Sequence, residues 1–264
     1  MRGSLTSIGR GGEHIPAFLV ERGSSRGCLI VLHEVTGLVP HIKDVCKRLG
    51  KLGFTTLAPD LFWRHKDLLT PEKILTAMKA VWSLSLKDRY DLRKVKYELA
   101  RLGSPKETFG VTSTLYSRGF REQMLLDTVS CARFAQSKYG KVGSVGFCMG
   151  GGLSMRLATR FTSLAACVAF YGEPPAPKEV ARIQSPILSI FAENDEIINS
   201  NVPRFVEAAI SSGKDLTLKV YPKTGHGFFN DTNEERYDEE AAEAAWELTN
   251  QFLERTMAKR QRDR

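Results

Sequence analysis

The sequence predicts an α/β fold: a mostly parallel central sheet with helices on both faces and a helical insertion at about 63–118. Three observations predict it. Short apolar runs such as Gly27 to Leu32 are bounded by polar residues, the pattern of a strand buried on both faces. These runs alternate along the chain with segments whose apolar residues recur at helical spacing. Between them, the passage from Val142 to Gly152 turns a small-residue strand into a helix through glycines at 146, 150, 151 and 152.

Taken in order, Ile15 to Glu21 alternates weakly and reads as an edge strand. Gly27 to Leu32 follows as a doubly buried strand. His41 to Leu52 carries apolar positions 42, 45, 49 and 52 on one helical face and closes at Gly53. Phe54 to Ala58, stopped by Pro59, completes a βαβ unit. The rhythm then breaks. Pro71 to Leu86 and the basic segment Leu92 to Leu102 read as helices, and Ser104 to Thr114 reads as turn-like. Two helices between core strands exceed a simple crossover, so 63–118 reads either as a cap over the sheet edge or as a surface insertion.

Phe120 to Tyr139 is a helix with apolar positions 124, 125, 129, 132 and 135. It leads into the strand Val142 to Val145 and the helix Gly150 to Phe161. Leu164 to Phe170 and Pro186 to Phe191 are further strands, followed by helix Asn201 to Ile210, strand Leu216 to Val220 and a closing helix Glu234 to Phe252. A chain of 264 residues built this way suits a single domain, 1–264.

Composition narrows the function classes. No run approaches the 18 or so apolar residues that span a bilayer, and Met1 to Gly12 has no apolar core of the kind a signal peptide needs. A cytoplasmic location and no membrane partner are expected. The five cysteines, at 28, 46, 131, 148 and 167, are odd in number and include no C-x-x-C pair, which argues against a disulfide scaffold or thiol metal clamp. The net charge of +8 raises nucleic acid as a partner, but Arg255 to Arg264 alone hold five basic residues against one Asp. This 255–264 tail reads as a frayed, solvated end, with membrane or nucleic-acid contact as the lesser reading.

Cys148, between Gly146 and Gly150, has the form of a nucleophile elbow with sulfur in the nucleophile's place. The residues two before and two after the nucleophile are pressed together, so neither can carry a Cβ. The turn sets Cys148 at a helix N-terminus, where unpaired N–H groups favour a thiolate, and aims Met149 N–H at the oxygen of an attacked carbonyl. The alternative is a packed core cysteine.

In such a sheet, chemistry belongs on the loops at the carboxyl ends of the strands. Asp195 lies 47 residues past Cys148, and His226 lies 31 past Asp195, each just beyond a separate strand. Nucleophile, acid, base is the chain order of the α/β-hydrolase plan. His226 would take the thiol proton and return it to the leaving oxygen, with Asp195 fixing its tautomer. Glu193 and Glu196 compete with Asp195 for that role, and a surface histidine in a glycine turn is the plain reading of His226. After Leu32 come His33, Glu34 and Val35. Val35 N–H is placed as the second oxyanion donor. Glu34 is a carboxylate at the mouth of the same crevice, positioned to accept the Cys148 proton or to hydrogen-bond to it and keep the resting thiol neutral. Position 37 is Gly, so H-E-x-x-H is incomplete and a metal site is not expected.

Together, His33 to Gly37 with His41, Ala58 to Arg64, Val145 to Gly151, Asn194 with Asp195, and Gly225 to Phe228 resemble the dienelactone hydrolase, or carboxymethylenebutenolidase, family. The resemblance runs over roughly residues 13–253, apart from 63–118. It implies a single-domain α/β-hydrolase, without cofactor, that opens unsaturated cyclic esters. It places the family triad on Cys148, Asp195 and His226, the thiol-activating glutamate on Glu34, and the oxyanion donors on the amides of Val35 and Met149. It further implies thiol attack on a lactone carbonyl, an enolate leaving group and hydrolysis of a thioester.

The chain departs from the family at the substrate carboxylate. Of the two arginines the family uses there, one falls four residues past the histidine, where this chain has Asn230. Arg64, Arg118 and Arg121 are candidate replacements, each alternatively a surface charge. The expected function is a cysteine-dependent hydrolase of a small lactone or ester, acting as monomer or homodimer. Its rivals are a thioesterase or broad carboxylesterase on other acyl substrates, and a binding protein that keeps the fold without turnover.

Overall fold

The computed structural model describes residues 2–10, 12–85, 87–89, 91–103 and 107–258. Eight strands form one sheet: β1 (Ser4–Arg10), β2 (Glu13–Val20), β3 (Cys28–Leu32), β4 (Thr55–Pro59), β5 (Val142–Phe147), β6 (Ala166–Phe170), β7 (Ile187–Asn194) and β8 (Leu216–Gly225). Their spatial order is β1-β2-β4-β3-β5-β6-β7-β8. The β1–β2 and β2–β4 pairs are antiparallel, and all pairs from β4 to β8 are parallel. This is the α/β-hydrolase arrangement expected from the alternation of apolar runs and amphipathic segments.

The helices are α1 (Pro40–Lys51), α2 (Pro71–Ser83), α3 (Leu92–Arg101), α4 (Glu107–Tyr116), α5 (Arg118–Tyr139), α6 (Met149–Arg160), the single turns α7 (Pro177–Val180) and α8 (Glu196–Asn199), α9 (Val202–Ser211) and α10 (Glu239–Met257). They cover both faces of the sheet. Strand residues alternate between two apolar clusters: Cys28, Ile30 and Leu32 pack toward α5 and α6, whereas Leu29 and Val31 pack toward α1 and α10. The period of two along β3 is what holds the layers in register. At about 25 cal/mol per Å² of apolar surface, these two clusters are the dominant stabilising contribution.

Three expectations are corrected. The segment at 15–21 is not an edge strand, because β2 lies between β1 and β4. The edge is β1, whose apolar residues are only a buried Ile8 and an exposed Leu5. One buried side chain gives no periodic signal, and β1 forms through antiparallel pairing from Ser4 with Leu19 to Arg10 with Glu13. The stretch read as turn-like contains α4, whose Gly, Thr and Ser residues have poor helix propensity. Burial of Val111, Thr112 and Leu115 overrides it, and the Thr112 and Ser113 hydroxyls donate to the carbonyls of Phe109 and Gly110. Finally, Arg255 to Met257 are not a frayed end. They continue α10, and Met257 is fully buried, its Cε and Sδ filling the room beside Gly27 and Gly143. The remainder of the basic tail, 259–264, lies outside the described residues.

The insertion is a helical unit in which α2, α3 and α4 bury Ile74, Met78, Val81, Val95, Leu99 and Leu115 in the cluster beside α5. Thr70 and Asp91 cap α2 and α3 by accepting from Lys73 N and Arg93 N. At its base, the Arg64 guanidinium stacks over Trp63 at 4.0 Å and pairs with Asp127 of α5 and Glu13 of β2. Asp127 is fully buried and also accepts from Trp63 Nε1 and Gln123 Nε2.

Candidate active site

Parallel pairing delivers five loops to one sheet edge at the same level. Leu32 pairs with Gly146, and Phe147 with Phe170, so Glu34, Cys148 and Tyr171 leave adjacent strands together. Beyond a register shift at Ala192, Asn194 pairs with Gly225, so the next residues, Asp195 and His226, emerge side by side. A crevice at the carboxyl edge of a parallel sheet is where such folds bind ligands.

Cys148 has φ 55° and ψ −118°, outside the regions a non-glycine residue ordinarily adopts. Strain of this kind costs about 1–3 kcal/mol and clusters at functional sites. Its neighbours explain how the turn closes. A Cβ on Gly146 would lie 2.0 Å from Gly150 O, and one on Gly150 would lie 2.2 Å from Leu32 O. Contact between Gly150 and the end of β3 brings the loop of Glu34 and Val35 against the start of α6. Met149 is the first helical residue, so its N–H has no intrahelical acceptor. The Val35 loop is anchored through His33. Leu61 N–H donates to His33 Nε2 at 3.2 Å, which leaves the proton on Nδ1 to donate to Glu34 O at 2.7 Å. Burial holds His33 below the usual histidine range, in keeping with this neutral tautomer.

Cys148 is the partly exposed thiol among the five cysteines; the other four are buried. Burial pushes Cys46 up to about 12 and Cys167 up to about 11, and it raises Cys28 as well. These three are inert packing thiols.

His226 Nδ1 stands 2.6 Å from Asp195 Oδ2. With Nδ1 committed to the carboxylate, Nε2 is the nitrogen left free for Cys148, whose charge acts on the ring. Burial alone would lower the imidazole, but the Cys148 charge and the Asp195 hydrogen bond outweigh it and push His226 up to about 10. The arrangement therefore favours the protonated form of the imidazole. Of the other two acids, Glu193 accepts from Lys223 N at 2.7 Å. Glu196 faces a cleft of about 410 Å³ shared with Lys87, Glu173, Ile197 and Ile198. Asn199 Nδ2 donates to the carbonyls of Ala192 and Glu193 and steadies the acid's loop.

Glu34 is buried. Its oxygens accept from Tyr171 Oη at 3.2 Å and from Asn230 Nδ2 at 2.6 Å, and no Glu34–Cys148 hydrogen bond is made among the described residues. Tyr171 has φ 37° and is fully buried, with its ring 5.0 Å from that of His226. Burial first, then the charges of Glu34 and Cys148, raise its phenol well above the usual range, so it is a donor only. Sequence reasoning missed Tyr171. The signal was there, because it is the first residue beyond a core strand on the carboxyl edge.

Two of the three candidate arginines have other partners. Arg64 is held by Asp127 and Glu13. Arg121 Nε donates to Leu115 O at 3.1 Å and its guanidinium faces Tyr116, and Arg118 is exposed at the start of α5. Among the described residues no group of three or more His, Cys, Asp and Glu could hold a metal ion, and no helix is long and apolar enough to cross a membrane.

An eight-stranded sheet of this order, with a residue in strained geometry between the central strand and its helix, defines an α/β-hydrolase. The chain belongs to the dienelactone hydrolase family, whose sequence model matches residues 15–257. It is 37% identical over 246 residues to a Saccharolobus solfataricus protein named "Putative carboxymethylenebutenolidase", covering 92% of this chain and 95% of that one. It is 30% identical over 260 residues to Protein usf of Aquifex pyrophilus, covering 95% and 97%. The fold also superposes on a crystal structure described as "Putative Dienelactone Hydrolase" from Klebsiella pneumoniae subsp. pneumoniae. There the TM-score is 0.71 at 22% identity, with 96% of this chain and 98% of that chain covered. Family and fold together make the protein a hydrolase of the carboxylic ester and lactone class.

Proposed function

We propose that the protein opens small lactones and cleaves related small carboxylic esters through a thioester on Cys148. The observation that carries this reading is the position of His226, held by Asp195 through Nδ1 and close enough to Cys148 for the two groups to act on each other electrostatically. In the first step the thiol proton passes to His226 Nε2 and sulfur adds to the substrate carbonyl. The amides of Val35 and Met149 receive the oxyanion. Collapse of the tetrahedral adduct expels the enolate or alkoxide, which takes the proton from the imidazolium. Water, deprotonated by His226, then hydrolyses the thioester and frees Cys148. No cofactor enters.

We assign the 63–118 insertion the role of a cap. Its Trp82 meets Arg236 on the segment that follows His226, and its Lys87 borders the cleft beside Asp195. The large apolar residues of α2 to α4 are spent in the core beside α5, so a long acyl chain would find little apolar wall on them. This favours small substrates over the thioesterase alternative. The commitments of Arg64 and Arg121 favour an uncharged substrate over one carrying a carboxylate.

The test is a panel of aryl esters and unsaturated lactones assayed with the wild type, Cys148→Ala and Cys148→Ser. Activity is expected to vanish in the alanine variant and to fall strongly in the serine variant, since an alkoxide needs stronger base activation than a thiolate. An acyl adduct trapped on Cys148 by rapid quench and located by peptide mass mapping is the positive result. Turnover unchanged in Cys148→Ala would end the proposal.

A further inference from the structure

Among the described residues the sheet ends at β8, with no strand beyond it. Ile187 of β7 pairs with Leu216, and Ile187 N–H donates to Asp215 O at 2.8 Å. In a parallel ladder a residue bonds to the two neighbours of its partner, so residues 215, 217 and 219 turn their main-chain groups toward β7. Those of Leu216, Leu218 and Val220 point outward, and no described residue pairs with them. The row stops at Pro222, which has no N–H to offer. Side chains alternate across the same strand. Leu216 packs against the cluster that holds Phe205 and Ala209 of α9, and Tyr221 belongs to the cluster on the opposite face. Leu216, Leu218 and Val220 therefore share the side of the sheet that α9 covers. There Val220 is 42% exposed, and Ile210, near the end of α9, is 75% exposed. Asp215, Thr217 and Lys219 share the other side, and both charged residues are exposed.

We infer that β8 is the surface through which two copies of this chain associate, pairing antiparallel about a two-fold axis at Thr217. Charge selects both the occupant and the register. With the axis at Thr217, Asp215 lies directly opposite Lys219 of the second copy, and the same contact is made again by symmetry. Leu216 then meets Leu218 as a hydrogen-bonded pair, and Thr217 meets its own counterpart as a non-hydrogen-bonded one. An axis at Lys219 would set two lysines face to face, and an axis at Leu218 would leave Asp215 opposite Tyr221 with no cation. The far edge of the sheet, β1, carries Arg10 as its one charged residue, so a second copy paired there gains no ion pair. Antiparallel pairing also points the carboxyl ends of the two sheets in opposite directions. Each crevice thereby keeps its own opening to solvent.

The experiment is sedimentation velocity on the full chain over a concentration series, with oxidative cross-linking beside it. Wild type is expected to pass reversibly from the 29.5 kDa chain to twice that mass as concentration rises. Lys219→Asp is expected to weaken the dimer about tenfold, because symmetry counts the lost pair and the new repulsion twice. Asp215→Lys is expected to do the same, and both substitutions in one chain to restore wild-type association. Facing Cα atoms of a non-hydrogen-bonded antiparallel pair are about 4.5 Å apart, within reach of a disulfide. Thr217→Cys should therefore form an intersubunit disulfide on mild oxidation, located by peptide mass mapping. Leu218→Cys, offset from its counterpart, should not. These positions lie at the sheet edge and outside the crevice, so a melting temperature unchanged in the variants separates lost association from lost folding. A chain that is monomeric at every concentration would overturn the inference. So would a dimer that Lys219→Asp leaves intact and Thr217→Cys does not cross-link, since it would use another face.

Discussion

Trp82, in the last turn of α2, lies under the guanidinium of Arg236 at 4.6 Å, and the Cδ of the same arginine is 3.7 Å from where a Cβ on Gly227 would sit. One side chain thus ties the helical insertion to the residue next to His226. Trp82 is 38% exposed, so the cation–π contact is worth about 0.5–1 kcal/mol. If the insertion caps the crevice, Trp82→Ala and Arg236→Ala should each raise KM for a small aryl ester a few-fold and leave kcat nearly unchanged. A double-mutant cycle on kcat/KM should return a coupling of similar size. A coupling of zero would leave the insertion as a surface ornament.

The elbow's glycines differ in what surrounds them, so alanine substitutions should rank in a definite order. At Gly146 a Cβ meets backbone at 2.0 Å and at Gly150 at 2.2 Å, whereas at Gly152 the nearest atom is Glu173 O at 3.1 Å. The first two contacts involve packed main chain that cannot yield. Gly146→Ala and Gly150→Ala should therefore cost more than about 4 kcal/mol and give little soluble protein. Gly152→Ala should fold with a loss of about 1 kcal/mol. Urea denaturation of the three variants checks the ranking, and a Gly146→Ala protein as stable as wild type would contradict the close approach.

These glycines also mark what a sequence can disclose. The elbow was legible because its constraint is local: four residues of fixed spacing around Cys148 state the steric problem and its solution together. Asp195 and His226 could be placed because each follows a strand whose apolar run is easy to see. The grip on Glu34 was not legible, since Tyr171 and Asn230 lie 137 and 196 residues away and neither carries a motif. Arg64 illustrates the same limit from the other side. Its sequence neighbourhood suggested a free cation near the site, and only the tertiary fold brings it the carboxylates of Asp127 on α5 and Glu13 on β2 that occupy it. The missed elements, β1 and α4, have compositions that argue against them and are held in place by tertiary pairing and burial.

His226 carries a pH signature. Its folded-state value of about 10 lies above its ordinary 6.5, so the charged form is favoured by folding. The sign follows from linkage: the stabilisation is complete below about pH 6.5 and is lost as pH rises through about 10. In the proposed mechanism the imidazolium is also the acid that protonates the leaving group, so kcat/KM should decline along the same alkaline limb. Asp195→Asn removes a hydrogen-bonding charge from Nδ1 and should move that limb to lower pH by about one unit or more. Rate profiles and melting temperatures from pH 6 to 10.5, with His226→Gln as the reference that lacks the group, provide the check. A limb unmoved by Asp195→Asn would mean that the carboxylate does not govern the imidazole.

Arg64 separates a structural arginine from a substrate-binding one. Its guanidinium is 21% exposed and its partner Asp127 is 1% exposed, so removing the cation leaves a buried carboxylate with Trp63 Nε1 and Gln123 Nε2 among its remaining donors. Loss of a charged hydrogen bond at such a site costs about 2 kcal/mol, and for a chain of this length that lowers the melting temperature by about 5 °C. Arg64→Met keeps the apolar stem over Trp63 and should show this loss in a thermal melt. The same variant should hydrolyse a neutral ester and its carboxylate-bearing analogue in the wild-type ratio of kcat/KM, because the guanidinium is engaged at the base of the insertion. Specific loss of the charged analogue, with stability unchanged, would return Arg64 to the substrate and reopen the question of what charge the crevice accepts.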